Sequence, residues 1–206
     1  MKKTTTIAAR IRQHIESMRP GEPFTPGNLQ MFGTRAAVDQ TLYRLAKAGT
    51  ISRLARGVFV RPEISRFVGQ VTPAPAKIAE LIAKSTGATI RVTGAEAARR
   101  FEFTTQVPTQ VGYCTTGPSK RLRIGKLEFR LQHVCARKML LAERQAGVAL
   151  AALWYLGKSE VTAASFETIR SKLPAVEFEA LKAASGSMPS WMANALYAHE
   201  KLALRA

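Results

Sequence analysis

Between positions 34 and 47 the chain places Thr34, Arg35, Asp39, Gln40, Tyr43, Arg44 and Lys47 at helical spacing. Arg and Gln can each make paired hydrogen bonds to a base edge, Asp can accept from an exocyclic amine, and Tyr, Arg and Lys reach phosphate oxygens. On a helix laid in the major groove, residues near the N-terminus meet the bases. Arg35, Asp39 and Gln40 are therefore assigned to bases, and Tyr43, Arg44 and Lys47 to phosphates. Arg53 and Arg56 follow closely and would bring charge to the backbone or minor groove, with Arg61 beyond them. Any one of these residues reads equally well as part of a solvated face. Taken together they favour duplex DNA.

The residue types for a reaction are sparse. Asp39 is the only aspartate, and the glutamates are scattered, whereas two-metal chemistry needs clustered carboxylates. His14, His133 and His199 are isolated, and Cys-x-x-Cys, His-Glu-x-x-His and Gly-x-Ser-x-Gly are absent. The loop Thr115-Thr116-Gly117-Pro118-Ser119-Lys120 lacks the paired glycines and Gly-Lys-Ser/Thr end of a phosphate loop. Cys114 and Cys135 read as buried, reduced thiols rather than nucleophiles. No catalytic residue, metal or cofactor is expected, and the chain reads as a non-enzyme.

The elements that position the first group can be read from periodicity. Ile7, Ile11, Ile15 and Met18 make a helical stripe capped by Thr4, Thr5 or Thr6 and stopped by Pro20-Gly21. A short helix from about Pro26 to Met31, a turn at Phe32-Gly33-Thr34 and a longer helix from Arg35 to Ala48 make a helix-turn-helix, with Thr34 as N-cap and Val38, Leu42 and Leu45 inward. Residues 51–60 then read as two strands around Arg56-Gly57, the wing of a winged helix. The expected fold class is α+β: an N-terminal winged helix-turn-helix domain over 1–66, a linker near Val71–Pro75, and a second α+β domain over 73–206.

In that second domain, strands are expected at 89–93 and after Pro108. A β-hairpin at 121–124 and 127–131 carries a second basic surface of Lys120, Arg121, Arg123, Lys126 and Arg130. That surface would suit DNA, RNA or protein. Helices are expected from Leu140 to Leu156 with an interruption near Gly147, from Thr162 to Leu173, from Val176 to Ala184, and from Pro189 to Leu204. The last carries an apolar stripe of Trp191, Ala195 and Leu202. Trp154, Tyr155, Trp191 and Tyr197 read as core between helices.

The charge agrees with an anionic partner: 31 basic and 14 acidic residues in 206 give +17. Net charge falls from +8 over residues 1–66 to +6 over 67–135 and +3 over 136–206. No block of five like charges occurs, so the basicity belongs to a folded surface rather than a tail. No stretch is apolar enough to span a bilayer and no signal peptide is legible, so a cytoplasmic location is expected.

The segment Gly33 to Leu45, then Gly49-Thr50-Ile51 and Arg56-Gly57-Val58-Phe59, resembles the N-terminal winged helix of AbiEi-type antitoxins of type IV toxin–antitoxin, abortive-infection systems. Thr105-Gln106-Val107-Pro108, Thr116-Gly117-Pro118-Ser119 and Ile124-Gly125-Lys126 look like an uncharacterised family grouped with them. The resemblance implies a repressor that binds inverted repeats in its own promoter. It also implies an antitoxin opposing a nucleotidyltransferase-type toxin, without need of a stable complex. The alternative is a winged-helix adaptor or accessory nucleic-acid-binding protein of a mobile element with no antitoxin role.

Overall fold

A computed structural model of the chain describes residues 6–67, 69–125 and 127–204. The architecture is α+β. Contacts divide the chain into two units, Met1–Gly87 with Leu122–Glu128, and Ala88–Arg121 with Phe129–Ala206. The joint expected at 66–73 lies inside the first unit, where residues 72–74 connect a strand to a helix.

The first unit begins with α1 (Ile7–Ser17). Thr6 caps it, its hydroxyl oxygen accepting from the Ala9 amide at 3.3 Å; Thr4 and Thr5 lie outside the described residues. The inward stripe is shorter than the spacing suggests. Ile11 and Ile15 are buried, whereas Ile7 is 40% exposed and Met18 falls just past the helix. β1 (Pro23–Phe24) leads into a 3-10 turn at Pro26–Phe32, where the expected short α-helix would be. α2 (Arg35–Lys47) follows, then β2 (Ser52–Ala55) and β3 (Val58–Val60), which form an antiparallel sheet in the order β1-β3-β2. Ile11, Ile15, Phe24, Leu29, Val38, Leu42, Leu45, Ile51 and Phe59 make one core. A second hairpin, β4 (Glu63–Ser65) and β5 (Gly69–Val71), was not legible in the sequence; α3 (Pro75–Ser85) follows it.

The second unit holds β6 (Ile90–Val92), α4 (Gly94–Arg100), β7 (Val111–Thr115), the first two residues of β8 (Lys120–Ile124) and all but the first two of β9 (Leu127–His133), the stretch Leu122–Glu128 going with the first unit. The sheet order is β6-β7-β9-β8, with β6–β7 antiparallel and β7–β9 parallel. Four helices complete it: α5 (Gln145–Leu156), α6 (Ala163–Lys172), α7 (Ala175–Ala183) and α8 (Ser190–Ala203). α5 starts five residues later than expected, and Gly147 lies inside its first turn instead of interrupting it. The chain before the helix turns back at Leu141, with φ +55°, so closely that a Cβ on residue 147 would fall on the Leu141 carbonyl. α8 buries Met192, Leu196 and His199, one position on from the expected stripe; Leu202 is 59% exposed. Trp154 and Trp191 pack edge to face at 5.8 Å, but Tyr155 and Tyr197 are exposed. Among the described residues, no helix is long and apolar enough to cross a membrane.

Candidate nucleic-acid interface

The face of α2 is set by its two ends and its core stripe. Thr34 has extended backbone, and its hydroxyl oxygen accepts from the Ala37 amide at 3.4 Å. That contact answers one of the free amides of the first turn. Val38, Leu42 and Leu45 pack inward. An α-helix turns by about 100° per residue, so Ala36, Gln40 and Lys47 point directly away from that stripe, flanked by Tyr43 and Arg44. All five are exposed, Tyr43 at 67%.

Arg35 and Asp39 lie nearer the β2–β3 hairpin. Arg35, Asp39 and Tyr43 line one hollow of about 290 Å³ with Arg53, Arg56 and Gly57. Gly57, at φ +74°, makes the tip of that hairpin in a conformation other residues adopt only with strain. The hairpin thus sets Arg53 and Arg56 opposite the helix. Thr34, Gln40, Arg44 and Lys47 are exposed outside this hollow. Pro26, Ala46 and Phe59 complete its walls; no polar signal in the sequence marks them.

Two of the arginines read from the sequence have partners within the chain. Arg35 is paired with Asp39, Nε to Oδ2 at 2.8 Å. With both side chains at least half exposed, the pair adds little stability, but it neutralises one cation and orients the other's acceptor. The four-residue spacing carried that signal. Arg61 is also engaged within the chain. Its guanidinium donates to the carbonyls of Glu16 at 2.6 Å and Met18 at 2.9 Å, where it satisfies the end of α1.

On the hairpin of the second surface, Ile124, Phe129 and Leu131 are buried, while Lys120, Arg121, Arg123 and Arg130 are exposed. Lys126 lies outside the described residues. Lys120, Arg121 and Arg130 line a shallow hollow of about 320 Å³, together with Ser119, Leu131 and Gln132. Arg123 is not part of it. Ser119, read in the sequence as part of the 115–120 loop, and Gln132, which no sequence signal marks, also belong to this hollow.

The remaining reactive side chains sit apart. His14 packs on Phe32, the Nδ1 of His133 meets the Gly117 carbonyl at 3.0 Å, and the Nε2 of His199 meets Glu167 at 2.8 Å. Burial raises the pKa of the Cys114 thiol, against the opposing pull of Arg91. Cys135, expected to be buried in a strand, is exposed and lies beyond the end of β9. Glu96 is held by Arg99 at 2.8 Å and Arg100 at 3.0 Å, and its pKa is lowered chiefly by the Arg99 hydrogen bond. Among the described residues no group of three or more His, Cys, Asp or Glu could hold a metal ion.

Over residues 10–181 the sequence matches a family described as a family of unknown function (DUF6088). No curated protein matches it. A solved structure, that of the RV2827C protein from Mycobacterium tuberculosis, is similar at 16% identity and a TM-score of 0.42. It covers 90% of this chain and 73% of that chain.

Proposed function

Because the chain belongs to DUF6088, a family of unknown function, we propose its role from its own surface: it is a DNA-binding autorepressor and antitoxin. In this reading α1, the 3-10 turn, α2 and the β2–β3 hairpin act as a winged helix-turn-helix. The carrying observation is the α2 face with Gln40, Tyr43, Arg44 and Lys47 exposed, beside a hollow in which Arg35 and Asp39 face Arg53 and Arg56. α2 enters the major groove with Ala36 and Gln40 outermost near its N-terminus. The small Ala36 lets the backbone come close, and Gln40 suits an adenine edge. Arg44 and Lys47 take phosphates, and the hairpin arginines lie along the flanking backbone or minor groove.

The antitoxin role rests on the resemblance to AbiEi-type antitoxins, with a nucleotidyltransferase-type toxin as the partner in function. Two experiments test the two halves. Fluorescence anisotropy on the chain's own upstream DNA should show binding that weakens steeply with salt and exceeds binding to an unrelated duplex. Equal affinity for both duplexes would remove the repressor. Co-expression with a neighbouring nucleotidyltransferase gene should restore growth that the gene alone arrests; continued arrest would remove the antitoxin.

One observation favours a second reading. The Arg35–Asp39 pair is neutral overall and Tyr43 is a large exposed ring, a combination that also suits a protein partner. An adaptor of this kind would bind unrelated duplexes and single strands alike.

A further inference from the structure

The basic residues of the second unit differ in their partners; Lys138 lies over the Trp154 ring at 5.0 Å, and Lys158 and Lys201 are exposed apart from one another. Many are already engaged. Arg99 and Arg100 lie on Glu96, Arg144 on Glu177, Arg170 on Glu167, Lys172 on Glu102 and Lys182 on Glu179. Arg91 and Arg137 donate to backbone carbonyls. Lys120, Arg121 and Arg130 differ from these: they are exposed, line one hollow, and share it with no carboxylate. Three cations held together repel one another and gain nothing from one another in the free protein.

Edge protection explains part of this. β8 is the edge of its sheet, and charged side chains on an edge strand discourage pairing with other chains. It does not explain Arg130, which stands on β9, flanked by strands on both sides. The hollow also carries hydrogen-bonding groups. The Ser119 hydroxyl oxygen accepts from the His133 amide at 2.9 Å, which leaves its own proton to donate outward. Gln132 stands beside it. Among the described residues no aromatic ring lines the hollow, so they offer no platform for unstacked bases.

We propose that this β8–β9 hollow grips the phosphodiester backbone of duplex DNA without reading its sequence. The choice of DNA as the polyanion rests on the function proposed above. Lys120, Arg121 and Arg130 each neutralise a phosphate, and Ser119 and Gln132 donate to the oxygens between them.

The test uses the full chain with its upstream duplex and an unrelated duplex, with affinity measured across a salt series. The triple variant Lys120→Ala, Arg121→Ala, Arg130→Ala should weaken binding to both duplexes by the same factor. It should also flatten the slope of log affinity against log salt by about 2 to 3, from about 0.9 per phosphate contact. The charge-keeping variant Lys120→Arg, Arg121→Lys, Arg130→Lys should keep the slope, which separates charge from folding. An unchanged slope in the alanine variant overturns the proposal. So does a loss confined to single-stranded RNA or to polyglutamate. If Gln40→Ala with Arg44→Ala leaves the preference for upstream DNA intact while the sheet variant flattens the slope, the α2 assignment fails and this one stands. A wild-type chain that binds neither duplex overturns both.

Discussion

The helices of the second unit and α2 of the first treat their arginines differently. In the helices of the second unit, Arg99, Arg144 and Arg170 each lie within 3.1 Å of a glutamate oxygen, and the buried Arg91 donates to two carbonyls, those of Gly147 and Lys138. On α2 of the first unit, Arg35 has Asp39, while Arg44 and Lys47 stand exposed on the same helix with no acidic residue but Asp39 in its sequence. The chain-wide surplus of +17 is therefore not evenly displayed. Charges in the second unit's helices are largely paired, several within their own helix and Arg144 with Glu177 of α7, whereas Arg44 and Lys47 of α2 stand exposed. Net charge counts the surplus of cations, and the pairing of each one shows where that surplus is left unmatched.

Removing charge should separate the two regions. The largest effect is expected for Arg91→Met, which leaves the Gly147 and Lys138 carbonyls without a buried charged donor. It should lower unfolding free energy by about 2–4 kcal/mol, read from the denaturant midpoint. A variant as stable as the parent would break the contrast. Next, Gln40→Ala with Arg44→Ala should cost about 10- to 100-fold in affinity for upstream DNA while the melting temperature stays unchanged. A fall in melting temperature would place these residues on the structural side. Thr34→Ala sharpens the boundary, because Thr34 sits at the binding face but acts as a cap. It should lose about 1 kcal/mol of stability, and Thr34→Ser should recover most of it; thermal melts of both variants decide.

The smallest effect concerns Glu167, whose pKa falls from 4.5 to about 2 under the Arg170 hydrogen bond first and the His199 contact second. A carboxyl depressed in the folded state stabilises fully above its ordinary pKa, and that contribution is lost as pH drops through the folded value. Between pH 4.5 and 2 the parent should lose stability more steeply than Glu167→Gln, as followed by urea midpoints. Parallel curves would show that the carboxylate contributes nothing.

Local signals made the α2 region readable. Thr34 before an apolar-periodic run, Gly49 after it and Arg56-Gly57 between two short strands are neighbours in sequence, and each fixes its element without help from elsewhere. The same holds for the alternation Leu127, Phe129, Leu131 on β9. What was not readable depends on distant partners. Arg61, grouped in the sequence with Arg53 and Arg56, turns instead to the end of α1 because two carbonyls, 45 and 43 residues earlier, lie within reach. α8 turns its Met192–Leu196–His199 side inward, with His199 meeting Phe178 of α7 and Glu167 of α6, so hydrophobicity alone chose a neighbouring stripe. α5 begins late because of a backbone approach at Gly147 that composition cannot show. The β4–β5 hairpin was missed because three-residue strands with exposed Ile64 have no alternating pattern to detect.

The burial of α8 has a consequence for where the second core is closed. The family match ends at residue 181, within α7, yet Met192 and Leu196 belong to the same core as Phe166, Ile169, Phe178 and Leu181. The stretch that can be recognised is thus shorter than the stretch that must fold. A chain stopped at 181 would keep all of the recognisable sequence and still open that core to water.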